Sequence, residues 1–374
     1  MLIKGGKIFD TEQGFVERNL CIVGDKIIED SYGASVNVDG CFVIPGLTDL
    51  HFHGCMGAEL SDGDSDGLQL MADYELSRGV TQICPTGMTL AEPQLLKLCR
   101  TAAEHKKHAA RGAELVGINL EGPFLSHAKK GAQNGAYLHE PDPEFLLKLK
   151  AESDGLVKLV SIAPELPGAI DFIRTVKDEV TVSIGHTSCN YEQALEAFDA
   201  GAKQVTHLFN AMNPLLHRSP GPIGAAADSD CRVELICDGL HIHPAVIRLV
   251  FRLFGKDRVI IISDSLRATG MPDGQYEFGG QDIFVNGMKA TLTDGTIAGS
   301  VTDLMGGMVQ AVRSGVSLSD AVTAAAVNPA KVLGIYDRFG SLDAGKEANI
   351  VILNPDLSLR AVVFRGNTVF GNLE

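Results

Sequence analysis

The sequence predicts an α/β protein: a (β/α)₈ barrel of the TIM type with a small β-sandwich domain built from both chain ends. Three observations lead there. Eight short, largely apolar runs recur through the middle of the chain, amphipathic helical stretches separate many of them, and the two ends carry similar β-type runs broken by glycine turns. A chain of 374 residues is long for one domain but suits one large barrel plus a small satellite.

The eight candidate strands are 42–53, 80–86, 115–121, 158–163, 180–186, 203–207, 232–238 and 259–264. Most read as the continuous apolar runs expected of strands buried on both faces. Helical spacing of apolar residues marks 92–110, 191–200 and 244–254, and helices over 302–314 and 317–327 would close the ring. An open doubly wound sheet shares this alternation and is the competing architecture. At the ends, runs such as Leu20-Cys21-Ile22-Val23 and Asn349-Ile350-Val351-Ile352-Leu353 are too few on either side to bury a core alone. Pairing them gives a small domain of residues 1–45 with 340–374, and leaves 46–339 for the barrel.

Composition narrows the function. Hydrophobic residues make up 45% and charged residues 21%, which suits a soluble enzyme. A formal net charge of −15 sets the chain against nucleic-acid phosphates, so any anionic ligand must be held by local cations. No run approaches the roughly 20 apolar residues of a spanning helix, and residues 1–10 read as strand rather than as a signal peptide. Cysteines at 21, 41, 55, 84, 99, 189, 231 and 237 form no CxxC pair. They read as reduced, mostly buried thiols of a cytoplasmic protein.

The chemistry lies at the strand ends. The first candidate strand ends in His51-Phe52-His53, the third in Glu121, the fifth in His186, the sixth in His207 and the eighth in Asp264. In a parallel barrel all these ends lie on one face, the face that carries active sites. A lone histidine at a strand end is ordinarily a hydrogen-bonded structural residue, and a lone carboxylate a cap. Matching positions on five strands are a poor fit to that reading and point to a metal site. His51 and His53, two apart in a strand, point to one side and reach one ion. Imidazole and carboxylate ligands suit zinc, with iron, manganese or cobalt as alternatives. Asp264 is the expected general base, able to take a proton from water and return it to a leaving group.

The strings Pro45-Gly46-Leu47-Thr48-Asp49-Leu50-His51-Phe52-His53-Gly54, Leu120-Glu121-Gly122-Pro123-Phe124, Gly185-His186-Thr187, Thr206-His207-Leu208-Phe209-Asn210-Ala211-Met212, Asp238-Gly239-Leu240-His241 and Ser263-Asp264-Ser265 resemble the amidohydrolase superfamily and, within it, the N-acetylglucosamine-6-phosphate deacetylases. The HxH pair is widely shared in the superfamily. The Leu-Glu-Gly-Pro and Thr-His-Leu-Phe-Asn-Ala-Met strings are far more specific.

The resemblance implies that Glu121, His186 and His207 hold a main ion. It implies that His51 and His53 add a second ion bridged by Glu121, giving one or two divalent ions per chain. It further implies that Asp264 is catalytic base and acid, that Asn210, Ala211, Arg218 and His241 contact a sugar phosphate, and that Ile297-Ala298-Gly299 closes over it. Arg218 would reach the neighbouring active site of a homodimer. Some relatives place a histidine after the Glu-Gly-Pro motif to polarise the scissile carbonyl. Here that loop reads Lys130-Gly131-Ala132-Gln133-Asn134. Ala132 and Gln133 of this loop are expected to contact substrate, but Gln133 donates a hydrogen bond and carries no charge, which shifts polarisation toward the second ion. The expected reaction is hydrolysis of the acetamide of N-acetylglucosamine 6-phosphate. Competing readings are a cyclic amide hydrolase or deaminase of the same superfamily, and a scaffold without catalysis. The galacto-configured sugar is not distinguished from the gluco.

Overall fold

A computed structural model describes residues 1–29 and 33–373; residues 30–32 and 374, which fall inside the expected small-domain boundaries, lie outside it. The fold is mixed α/β around a curved parallel sheet. Its strands are Leu47–Asp49 (β1), Val80–Ile83 (β2), Ile118–Leu120 (β3), Val157–Ile162 (β4), Thr181–Ile184 (β5), Gln204–Val205 (β6), Arg232–Ile236 (β7) and Val259–Ile262 (β8). From β3 to β8 each strand pairs in parallel with the next. β2 pairs with β1, and through Glu114–Leu115 and Thr86–Gly87 the chain passes the pairing on to the third unit. Beyond the last strand the Asp264 amide donates to the His51 carbonyl at 2.9 Å, tying the eighth segment to the first.

Most strand residues are buried, as the apolar runs require: Val259–Ile262 is buried throughout. The helices cover the outside. Glu92–His108 buries Leu95, Leu98, Cys99 and Ala102, spaced three and four apart, and keeps its lysines on the other side. Tyr191–Ala200 starts at an Asn190 cap whose side chain accepts from the Gln193 amide, and it stops at Gly201. Pro244–Phe254 ends at Gly255.

The expected strands 80–86 and 115–121 are each broken, into Val80–Ile83 with Thr86–Gly87 and Glu114–Leu115 with Ile118–Leu120, and two further expectations need correction. The 42–53 run is not one strand. Phe42–Pro45 joins the chain-end strands, and β1 begins after Gly46. A Cβ at Gly46 would stand 2.0 Å from Thr81 Oγ1, so only glycine lets the chain cross there. The expected helix over 317–327 becomes Leu318–Val322, a π-helical turn Thr323–Val327 and a further helix Asn328–Val332.

The two ends of the chain share one six-stranded sheet, in the order Asn367–Gly371, Leu359–Phe364, Ile350–Leu353, Phe42–Pro45, Lys7–Asp10, Gly14–Glu17. A four-stranded sheet holds Lys26–Ile28, Leu20–Val23, Leu2–Lys4 and Ser35–Asn37. A further antiparallel sheet of Gly274–Phe278, Gln281–Asn286 and Lys289–Leu292 was not expected. Residues 281–286 alternate in burial, and the hairpin turns at Gly287-Met288, with Gly287 at φ 59°. Among the described residues, no helix is long and apolar enough to cross a membrane. All eight cysteines are free and buried.

Candidate metal and catalytic site

The expected ligands meet at the carboxyl ends of the parallel strands, but mostly in the loops just past them. His51 and His53 follow β1, Glu121 follows β3, His186 follows β5, His207 follows β6 and Asp264 follows β8. The backbone bends sharply there. His186, His207 and Asp264 have φ of 46°, 26° and 49°, and Phe209 and Ala211 also lie in the left-handed region at 78° and 50°. Side chains other than glycine avoid that region, at a cost on the order of 1–3 kcal/mol each, and such residues gather at functional sites.

Glu121 is the hub. Its Oε1 lies 2.8 Å from His207 Nε2 and 3.0 Å from His186 Nε2. Its Oε2 lies 3.3 Å from His53 Nε2, and His51 Nε2 stands 3.5 Å from Oε1. Asp264 Oδ1 is 3.3 Å from His53 Nε2 and 3.6 Å from His51 Nε2. Two sets of donors are close enough to share an ion: His51, His53 and Glu121, and Glu121, His186 and His207.

Three of the four rings are turned by the far nitrogen, while His207 Nδ1 is buried without a hydrogen-bond partner. His53 Nδ1 lies 3.2 Å from the Thr86 carbonyl and His186 Nδ1 lies 2.8 Å from that of Lys129. A carbonyl only accepts, so both rings carry the proton on Nδ1 and present Nε2 inward. His51 Nδ1 meets the Glu234 carboxylate at 2.8 Å, and His51 Nε2 is buried without a hydrogen-bond partner.

The charge balance fits a cation. Every ion pair of Glu121 and Asp264 among the described residues is with a histidine, and no lysine or arginine joins them. Burial pushes the His51 pKa down, but Glu234, Glu121 and Asp264 outweigh it and lift it to about 9. His53, buried likewise, is lifted by Asp264 and Glu121 to about 10. Burial also opposes charge on Glu121, yet His186 and His51 hold its carboxyl well below the usual range. Asp264 is lowered in the same way, against burial, by His53 and His51, and so is ionised. Protons on imidazoles balance these carboxylates, and a divalent ion would displace them. The 2.8–3.1 Å spacing of Glu121 Oε1, His186 Nε2 and His207 Nε2 is close to the roughly 3.4 Å between ligands of one tetrahedral ion.

A cavity of about 430 Å³ opens over this cluster. It is lined by His53, Glu121, His186, His207 and Asp264, and by Ala132, Gln133, Asn210, Ala211, His241, Ile297 and Gly299. Ala298 is fully buried and outside the lining. Arg218 lines a separate hollow with Tyr191, Leu216 and Pro220, so it does not enter its own chain's cavity. Gln133 is already committed: Nε2 donates to Glu121 Oε2 at 2.6 Å, and Oε1 accepts from the Thr89 amide at 2.8 Å. His241 is held by Asp238, whose Oδ2 lies 2.6 Å from its Nδ1.

Sequence reasoning missed Glu234, Lys129 and Phe278. Glu234 is signalled by a charge in the middle of the apolar run Val233-Glu234-Leu235-Ile236. Lys129 lines the cavity. Phe278, from the antiparallel sheet, packs edge-on to His53 with centroids 5.1 Å apart.

The model of the amidohydrolase family matches residues 42–369, and the chain belongs to that family. N-acetylglucosamine-6-phosphate deacetylase of Bacillus subtilis (strain 168) is 40% identical over 334 residues, 88% of this chain and 84% of that one. N-acetylgalactosamine-6-phosphate deacetylase of Escherichia coli O157:H7 is 32% identical over 362 residues, 95% and 96% of the two chains. A mutant N-acetyl-D-glucosamine-6-phosphate deacetylase from Mycobacterium smegmatis, solved in complex with N-acetyl-D-glucosamine-6-phosphate, superposes with a TM-score of 0.93 at 32% identity, covering 99% of each chain. Within the amidohydrolase family the chain therefore sits among these deacetylases.

Proposed function

We propose that this protein hydrolyses the acetamide of N-acetylglucosamine 6-phosphate to glucosamine 6-phosphate and acetate, as a step in amino-sugar breakdown. The observation that carries the reading is the meeting of Glu121, His186, His207 and an ionised Asp264 at one cavity, in a chain related to deacetylases over nearly its whole length. The architecture behind it is a (β/α)₈ barrel over residues 46–339, with residues 1–45 and 340–374 forming a β-sandwich domain.

Glu121, His186 and His207 would hold one divalent ion, and His51 and His53 with Glu121 a second; zinc suits this set best. An ion bound there acidifies water and offsets negative charge growing on the acetyl oxygen. Asp264 takes the proton of the attacking water and delivers it to the sugar nitrogen as the C–N bond breaks. Gln133 braces Glu121 rather than standing free as a donor. Asn210, Ala211 and His241 bind the sugar phosphate, with Ile297, Ala298 and Gly299 closing beside it. Arg218 supplies a further cation for the phosphate from the neighbouring subunit of a homodimer. Buried, unpaired thiols agree with a cytoplasmic setting.

Acetate release from N-acetylglucosamine 6-phosphate, N-acetylgalactosamine 6-phosphate and unphosphorylated N-acetylglucosamine tests the substrate. The gluco phosphate should have the highest kcat/KM and the unphosphorylated sugar the lowest. Preference for the galacto phosphate would reassign the hexose, and equal rates with or without phosphate would remove the phosphate from the reading.

A further inference from the structure

Glu234 is fully buried in β7 and belongs to neither proposed ligand set, yet three donors from two other strand units converge on it. His51 Nδ1 meets Oε2 at 2.8 Å, the His207 amide donates to Oε2 at 3.1 Å, and Gln204 Nε2 donates to Oε1 at 2.6 Å. The Leu208 amide also donates to the Glu234 carbonyl at 2.8 Å. One carboxylate thus joins the unit of His51 to the unit of His207. Among the described residues it is also the only carboxylate at the far nitrogen of one of these rings, since His53 and His186 lean on backbone carbonyls and His207 Nδ1 has no partner.

A buried carboxylate accepts and does not donate, so it keeps a proton on His51 Nδ1 and makes Nε2 the nitrogen that would give up its proton to an ion. That nitrogen has no hydrogen-bond partner and faces Glu121 and Asp264 at 3.5 and 3.6 Å. A carboxylate behind an imidazole also makes it a more basic ligand. Resting on the two-ion reading above, we infer that Glu234 is the positioning residue of the second ion: it sets the tautomer and strength of His51, and through the His207 amide it keeps the two ion positions in register.

The test is zinc titration of the chelator-stripped full-length protein, followed by calorimetry and by metal content after dialysis. Wild type should take up two zinc ions per chain. Glu234→Gln brings an amide N–H₂ against donors, and should weaken the second zinc about 10–100-fold, the usual effect of removing such a support, with the first changed by much less. In a His51→Ala background Glu234→Gln should leave the first zinc where His51→Ala alone put it. A merely structural role would weaken both ions together and would persist without His51. Glu234→Asp, which keeps the charge but withdraws it from His51, should show the same selective loss if the amide variant does not fold. Two zinc ions of unchanged affinity in either folded variant, equal weakening of both, failure of both variants to fold, or one zinc in wild type would each overturn the assignment. Absence of any zinc binding by wild type would instead remove the metal reading on which it rests.

Discussion

Asp264 and Glu121 show how far single residues carry the chemistry. Both are buried carboxylates kept ionised by imidazoles, against the pull of burial. Asp264 differs in reaching the cavity from a left-handed backbone position, with φ 49°, which a strand-end pattern cannot reveal. Asp264→Asn preserves shape and removes the proton acceptor. Turnover should fall by about 10²–10⁴-fold or more, with metal content and melting temperature near wild type. Near-normal turnover in the purified variant would remove Asp264 from the role. That His51, His53, Glu121, His186, His207 and Asp264 would gather at one place was legible in the sequence, because each follows a short apolar run. Glu234 left only a charge inside the apolar run Val233-Glu234-Leu235-Ile236, which marks a buried carboxylate but not the His51 ring it meets.

At the scale of elements, the eight parallel strands were readable as apolar runs, but their breaks were not. Gly46 and the interruptions around residues 84–85 and 116–117 depend on neighbouring strands: a Cβ at Gly46 meets Thr81, and one at Gly117 meets Lys158. The 274–292 sheet was missed because its alternation lies where a barrel reading expects a loop. Elements distant in sequence also meet at Glu114, beside β2. It takes Lys106 Nζ at 3.0 Å, Arg338 at 3.2 Å and Arg365 Nη2 at 2.9 Å, joining helix 92–108 to the C-terminal strands. Burial raises the Glu114 pKa, but Lys106, Arg365 and Arg338 outweigh it and bring the net value below normal. A group depressed in the folded state adds stability above its unfolded pKa of about 4.3, and loses it as pH falls through the folded value. Glu114→Gln should therefore lower stability by about 1–2 kcal/mol at pH 7, a figure kept small because its cationic partners are partly exposed. Denaturant unfolding should show the gap closing below about pH 4. A gap unchanged with pH would mean the glutamate acts by packing and not by charge.

The whole molecule is strongly acidic, at −15, yet its proposed substrate is a phosphate. Arg218 sits outside its own cavity on an exposed loop beside exposed Leu215 and Leu216. If it completes a partner's site, mixing Asp264→Asn with Arg218→Ala under subunit exchange should restore part of the activity, because one site in each mixed dimer carries neither change. No recovery despite proven exchange would mean that Arg218 serves its own chain or does not bind phosphate at all. The claim beneath all of this is that a divalent ion held by Glu121, His186 and His207 is needed to release acetate from the phosphorylated sugar. The most direct measurement follows acetate release from N-acetylglucosamine 6-phosphate on one sample: as purified, after stripping with a chelator, and after zinc is returned. The account predicts that activity disappears with the metal and returns with it, in step with the zinc bound per chain. Full activity in protein shown to be free of metal would contradict it.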